Sequence, residues 1–166
     1  MDRHQGFDAF YHGAFRRLVG QLFLVTGDLQ EAEDVVQEAF ARASVRWGRL
    51  RDYDVPERWV RRVALNLAAN GGRQRRAQLA ALLRLGPAPS VPAVSVEALA
   101  VVEAVAALPV AHRQVVVLHH LLGLPVEEVA GQLGIPVGTV KSRLARARRT
   151  LATMLEEHSQ EGARHA

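Results

Sequence analysis

The sequence predicts an all-α chain, two small helical domains joined by a Pro-rich linker. Three observations carry this. Apolar residues recur at i, i+3, i+4 and i+7 over most of the length, which is the period of amphipathic helices. No strand alternation or hairpin signal interrupts the N-terminal half. The segment "GPAPSVPAVS", 86–95, holds three prolines and a glycine without a charge, which excludes a continuous helix and favours an extended tether. A length of 166 residues suits one medium domain or two small ones. The boundaries predicted are a first domain over 1–76, a linker over 77–94, a second domain over 95–158 and a tail over 159–166.

The first helix carries Phe7, Phe10, Tyr11, Ala14, Phe15, Leu18, Val19, Leu22 and Phe23 on one stripe. It can bury that face against a partner but not stand alone. "TGDLQ" breaks it, and a second helix begins near Leu29 with Ala32, Val36, Ala39, Phe40, Ala43 and Trp47 as its apolar stripe. "WGRLRDYDV", 47–55, reads as a loop. Pro56 suits the first turn of a third helix, whose core face would be Trp59 or Val60, Val63, Ala64 and Leu67. Gly71-Gly72 should end or loosen that helix, since each glycine costs about 1 kcal/mol relative to alanine in a helix interior. "AQLAALLRL", at the start of the linker, retains a helical pattern.

Beyond the linker, "VEALAVVEAVAAL" is a helix ending at Pro109, and "VAHRQVVVLHHLLG" a second, stopped by Gly123 and Pro125. "VEEVAGQLG" is a short third helix with Gly134 as its C-terminal stop. "VGTVKSRLARARRTLATML" is the fourth. Two helices joined by the residues around "GIP" form a helix-turn-helix.

Charge is segregated even though the net value is only +4. Asp28–Glu38 carries five acids and no base; Arg58–Val96 carries seven arginines and no acid. Five cations fall between Lys141 and Arg149, and no acid lies between Val129 and Leu155. Segregated charge implies separate surfaces for separate partners. The absence of cysteine removes disulfides and thiolate metal sites. The N-terminus lacks a signal-peptide pattern and no apolar run reaches the roughly 20 residues of a membrane span. These features predict a cytoplasmic protein without membrane insertion.

Three faces are candidates for binding. Glu31, Asp34 and Glu38, with Gln37 beside them, line one side of the second helix. Read from the residues, that side is either a solvated face or a dock for a basic protein. On the third helix Arg62, Asn66, Asn70 and Arg73 share a stripe flanked by Arg58 and Arg61, with Arg75 and Arg76 following. Ordinary helix faces interleave both signs. An exposed row of cations suits phosphates, and asparagines among them suit base edges. In a helix-turn-helix the second helix enters the major groove. Val140, Leu144, Ala147 and Leu151 must then face Val129 and Leu133. That turns Thr139, Lys141, Ser142, Ala145 and Arg146 outward, while Arg143, Arg148 and Arg149 reach phosphates. Cation to guanine is the commonest specific pairing.

The order of parts is more specific than any one of them. "GDLQEAEDVVQEAFARASVRW", "PERWVRRVALNLAANGGRQRR" and "LPVAHRQVVVLHHLLGLPVEEVAGQLGIPVGTVKSRLARARRTL" resemble regions 2.2, 2.3–2.4 and 4 of the extracytoplasmic-function (group IV) sigma factors of bacterial RNA polymerase. The resemblance spans about Phe7–Arg76 and Glu97–Leu155. It implies a sigma2-like domain, then a sigma4-like one, with core RNA polymerase and promoter DNA as partners and an anti-sigma factor as a further one. By the resemblance Asp34, Gln37 and Glu38 dock on a basic coiled coil of core polymerase. The face of Arg61, Arg62, Asn66 and Arg73 engages the −10 element, and the loop "WGRLRDYDV" helps capture a flipped base. Lys141, Ser142 and Arg146 read the −35 element. Pro125 departs from the Ser or Thr often found at that cap.

No nucleophile elbow, phosphate loop or zinc-protease motif occurs, so neither enzymatic activity nor a cofactor or metal is expected. His119-His120 should point to different sides of a helix and so not chelate one metal. Trp47 and Trp59 are expected as core anchors. Two other readings compete with a sigma factor. One is a stand-alone helix-turn-helix regulator that does not bind polymerase core. The other is a protein-interaction module that titrates polymerase or an anti-sigma factor.

Overall fold

The structure, a computed structural model, describes residues 6–82 and 96–164; within those helices the side chains of 72–82, 96–99, 102, 158, 159 and 161–164 lie outside the described set. The described residues form α1 (Phe7–Thr26), α2 (Leu29–Leu50), α3 (Pro56–Leu82), α4 (Val96–Ala107), α5 (Val110–Val116), α6 (Val126–Leu133) and α7 (Val137–Arg164). A π-helical turn, Val117–Leu121, prolongs α5. No strand occurs among the described residues, and none of their helices is long and apolar enough to cross a membrane. Most of the expected linker, 83–94, lies outside the described residues.

The N-terminal unit is α1, α2 and α3. Its core is the stripe that the spacing predicts for α2: Ala32, Val36, Ala39, Phe40, Ala43 and Trp47 are all buried. Phe40 meets Tyr11 at 4.9 Å and Phe10 at 5.4 Å between ring centroids, and Phe10 stacks on Trp47 at 5.1 Å. Such ring pairs add about 0.5–1.5 kcal/mol beyond the area they bury. Gly27, with φ 74°, ends α1 by donating its amide to the Phe23 carbonyl at 2.8 Å. Asp28 starts α2, its Oδ1 accepting from the Glu31 amide at 2.8 Å, a cap worth about 1 kcal/mol.

Four expectations need correction here. Phe23, placed on the α1 stripe, is 41% exposed, and Val25 is buried instead. The loop expected over 47–55 begins only at Arg51, because Trp47 and Leu50 are buried and hold the last turn of α2. On α3 the buried residues are Val60, Ala64, Leu65 and Ala68, while Trp59, Val63 and Leu67 are half-buried. The helix is covered from a second direction, which rotates its buried face. Finally, α3 passes unbroken through Gly71-Gly72. A Cβ on Gly71 would make only an ordinary contact, 3.6 Å from Glu31 Oε1 of α2.

The C-terminal unit is α4–α7. Val129, Val140, Leu144 and Ala147 are buried and Leu133 and Leu151 partly so, as the helix-turn-helix spacing requires. Gly134 takes φ 66°, the left-handed region that favours glycine, and the Ile135 amide bonds the Ala130 carbonyl at 3.2 Å. In the π-helical turn the Leu122 amide reaches the Val117 carbonyl, five residues back, at 2.9 Å. The histidine pair in this turn does not diverge as expected. The rings of His119 and His120 meet edge to face at 4.8 Å, and His119 Nδ1 lies 2.8 Å from the Leu124 carbonyl.

The two units share one hydrophobic core, in which Leu18, Leu22 and Leu65 are continuous with Leu108, Val115 and Leu118. Two polar side chains of α5 tie them. Arg113, 7% exposed, donates to the Val25 carbonyl at 2.8 Å and to those of Ala106 and Leu108 at 2.6 and 3.0 Å. Gln114, 4% exposed, donates to the Leu65 carbonyl at 2.9 Å. Most buried polar groups are hydrogen-bonded, since an unmet one is costly, so these contacts favour this way of joining the units.

Candidate nucleic-acid interface

The acidic face of α2 is set by its cap and its stripe. With Val36, Ala39 and Phe40 committed to the core, Asp34, Gln37 and Glu38 are exposed on the opposite side and Glu31 is half-buried. Asp34 accepts from Gln30 at 3.0 Å and Glu38 from Arg42 at 2.8 Å, both one turn apart along the helix. Exposed pairs of this kind contribute only about 0.3–0.5 kcal/mol, so they yield readily to a basic partner.

The α3 face is less open than its sequence suggests. Arg58, Arg62, Asn66 and Asn70 are exposed as expected. Arg61 is not, its side chain being only 12% exposed with Glu57 at 3.8 Å. Its Nε is buried without a hydrogen-bond partner. Burial pulls the Arg61 guanidinium below its usual pKa, opposed by the charges of Glu57 and Glu128. Glu57 also holds the exposed Arg17, which its hydrogen bond raises. The side chains of Arg73, Arg75 and Arg76 lie outside the described residues.

The remaining arginines of this face meet the C-terminal unit. Arg58 Nη2 is 2.7 Å from Glu128 Oε1 on α6. Arg62 Nη2 lies 3.3 Å from where a Cβ on Gly134 would be. Between the units opens a cleft of about 500 Å³ lined by Tyr53, Val55, Trp59, Arg62, Glu127 and Gln132, among others. Trp59 is half-buried, packed against the core on one side and walling this cleft on the other, with the Arg46 guanidinium 5.7 Å from its ring centroid. Gln132 is 2% exposed, and its Oε1 has no hydrogen-bond partner.

On α7 the burial of Val140, Leu144 and Ala147 leaves Lys141, Ser142, Ala145, Arg146, Arg148 and Arg149 exposed along one side. Thr139, expected outward, is half-buried, as is the flanking Arg143. Ser142 Oγ donates to the Thr139 carbonyl at 3.0 Å. Near them, burial and the charges of Arg143 and Arg146 lower the pKa of His112. The row of guanidinium groups can neutralise phosphates while Lys141, Ser142 and Arg146 stand at the helix's leading end, where base edges are met.

The sequence reading missed Glu57, Arg113, Gln114 and Glu128. Glu127-Glu128 did leave a trace, as the last acids before the acid-free run that starts at Val129. Arg113 and Gln114 gave no signal, because their partners are backbone carbonyls.

Comparison with known proteins matches residues 10–78 to sigma-70 region 2 and residues 98–151 to sigma-70 region 4. The chain is 32% identical over 155 residues to the ECF RNA polymerase sigma factor SigM of Mycobacterium tuberculosis, covering 93% of this chain and 79% of SigM. It is 33% identical over 145 residues to the probable RNA polymerase sigma factor RfaY of Xanthomonas campestris pv. campestris, covering 79% of this chain but 36% of RfaY. Its fold is similar to that of CnrH, solved with the cytosolic domain of CnrY, with a TM-score of 0.60 and 27% identity over 92% of this chain and 89% of CnrH.

Proposed function

The chain belongs to the extracytoplasmic-function sigma factors of the sigma-70 family, and on that premise we propose how its surfaces divide the work of transcription initiation. As a sigma factor it binds core RNA polymerase and directs promoter recognition. Asp34, Gln37 and Glu38 on α2 dock on a basic element of core polymerase. Arg58, Arg62, Asn66 and Asn70, with Arg73, Arg75 and Arg76 further along α3, engage the −10 element, while the largely buried Arg61 supports the face from behind beside Glu57. The loop 51–55 and Trp59 receive an unstacked base, so that unstacking is offset by contacts in the cleft. Thr139, Lys141, Ser142 and Arg146 meet the −35 bases, and Arg143, Arg148 and Arg149 its phosphates. The first domain ends near residue 76 and the second begins near 95. The chain performs no chemistry itself and acts in the cytoplasm, where polymerase is. An anti-sigma factor is its further partner, by analogy with the family.

The observation that carries this reading is an acidic face and two basic faces on separate units of one chain, in the order region 2 then region 4. A stand-alone helix-turn-helix regulator has no need of a region 2, and that alternative is set aside. Run-off transcription with core polymerase and a promoter library tests the proposal. Promoter-dependent transcripts are expected; no transcript and no core binding would refute it.

A further inference from the structure

We infer that the cleft lined by α3 and α6 is a site for a free adenine ribonucleotide of low charge, with adenosine monophosphate (AMP) as its simplest form. At about 500 Å³ the cleft falls within the size range of small-molecule sites. Four of the side chains that line it carry the inference: Trp59 and Arg62 of α3, and Glu127 and Gln132 of α6.

Gln132 points to a ligand most directly. It is 2% exposed, and its Oε1 has no hydrogen-bond partner among the described residues. A buried acceptor left unmet is costly, so a ligand that brings it a donor is rewarded. A side-chain amide offers one donor and one acceptor side by side. Adenine presents the complementary pair in its amino group and a neighbouring ring nitrogen. Trp59 supplies the aromatic surface on which a base stacks.

The charges say what else the ligand carries. Arg58 and Glu128 satisfy each other at 2.7 Å. Arg62 and Glu127 remain, and among the described residues neither has a hydrogen bond or an ion pair. A guanidinium pairs with a phosphate. A carboxylate repels a second phosphate but accepts hydrogen bonds from ribose hydroxyls. One base, one ribose and one phosphate therefore suit the four groups, and one free cation against one free anion disfavours a triphosphate. The carboxylate also separates this ligand from promoter DNA, which lacks the 2′-hydroxyl and carries a phosphate on either side of each base. Glu127 and Gln132 belong to α6, outside the −10 face, so the site goes beyond that assignment.

Equilibrium dialysis of the full chain against radiolabelled AMP, without DNA or polymerase, tests this. AMP should bind with a Kd on the order of 10–100 µM. In competition, adenosine, guanosine monophosphate and 2′-deoxy-AMP should each be about tenfold weaker, the effect of one lost charge-assisted or buried hydrogen bond. Adenosine triphosphate should bind no more tightly than AMP. Glu127→Ala should erase the preference for ribose over deoxyribose. Gln132→Leu should erase the preference for adenine over guanine. Circular dichroism checks that both variants fold, and Glu127 is exposed, so its variant decides the matter if Gln132→Leu does not fold. No binding at about 1 mM AMP, or equal binding of AMP and 2′-deoxy-AMP, overturns the inference. So does binding whose preferences survive in every folded variant, because the ligand then sits elsewhere. The −10 assignment is read separately, from binding of single-stranded promoter DNA, and is untouched by any of these results.

Discussion

Replacing Arg113 by methionine should lower the unfolding free energy by about 3 kcal/mol. Arg113 is 7% exposed, and its guanidinium donates to three carbonyls, at 2.8, 2.6 and 3.0 Å. A hydrogen bond to a charged group contributes about 1.5–3 kcal/mol, so the gross loss is roughly 5–9 kcal/mol. Methionine fills similar space and no longer takes a charge out of water, which returns several kcal/mol. The balance is about 3 kcal/mol, or a fall in Tm of roughly 6–12 °C for a chain of this size. One of the three bonds, to Val25, crosses the junction, and the other two, to Ala106 and Leu108, lie within the C-terminal unit, so both the junction and that unit should weaken. Urea unfolding followed by circular dichroism would therefore show a lower midpoint and a shallower or split transition. Arg113→Lys should rescue little, because an ammonium cannot present a planar fork to carbonyls on two sides. A loss below about 1 kcal/mol with an unchanged slope would refute the reasoning, since solvent would then serve those carbonyls as well as Arg113 does.

Reversing charge at Asp34→Lys with Glu38→Lys should abolish binding to core polymerase and spare binding of a −35 duplex by the full chain; equal loss of both in a binding assay would mean misfolding instead. Lys141→Ala and Arg146→Ala should each cost about 1–3 kcal/mol at the preferred −35 sequence and relax specificity there. Arg148→Ala with Arg149→Ala should weaken all sequences alike and reduce the salt slope by about 1 per phosphate contact, measured by titration at several salt concentrations. His112 has a pKa below its ordinary 6.5 through burial, then Arg143 and Arg146. Its neutral form is thus favoured by folding. The unfolded chain takes up the proton first as pH falls, so this contribution to stability is full above pH 6.5 and declines below it. His112→Gln should flatten that part of the stability–pH curve.

What could be read without coordinates follows the range of the interactions. The α2 stripe from Ala32 to Trp47 was legible because a buried helix face is written at i, i+3 and i+4 in consecutive residues. So was the core of the helix-turn-helix, Val140, Leu144 and Ala147 against Val129, since the two helices are joined by a short turn. The outward positions Lys141, Ser142 and Arg146 follow from that core by subtraction. The burial of Arg61 was not legible. A stripe of arginines looks the same whether solvent or another helix covers it, and Glu57 one turn earlier gave only an ordinary i, i+4 pair. Thr139 is outward by the same periodic argument, which counts only the partner helix, yet the folded chain leaves it half-buried.

Two helical units, the apolar stripes of α2 and of the helix-turn-helix, and three faces of segregated charge are written in the residues alone. Each of these depends on residues within a few turns of one another. That the units share a core, that Arg58 meets Glu128 across 70 residues, and that Gln114 and Arg113 reach Leu65 and Val25 across 49 and 88 emerges once the chain is folded. The partners in the last two contacts are backbone carbonyls, which every residue carries. No side-chain pattern marks a carbonyl as an acceptor, so a contact built on it becomes visible only when the chain has brought the donor there.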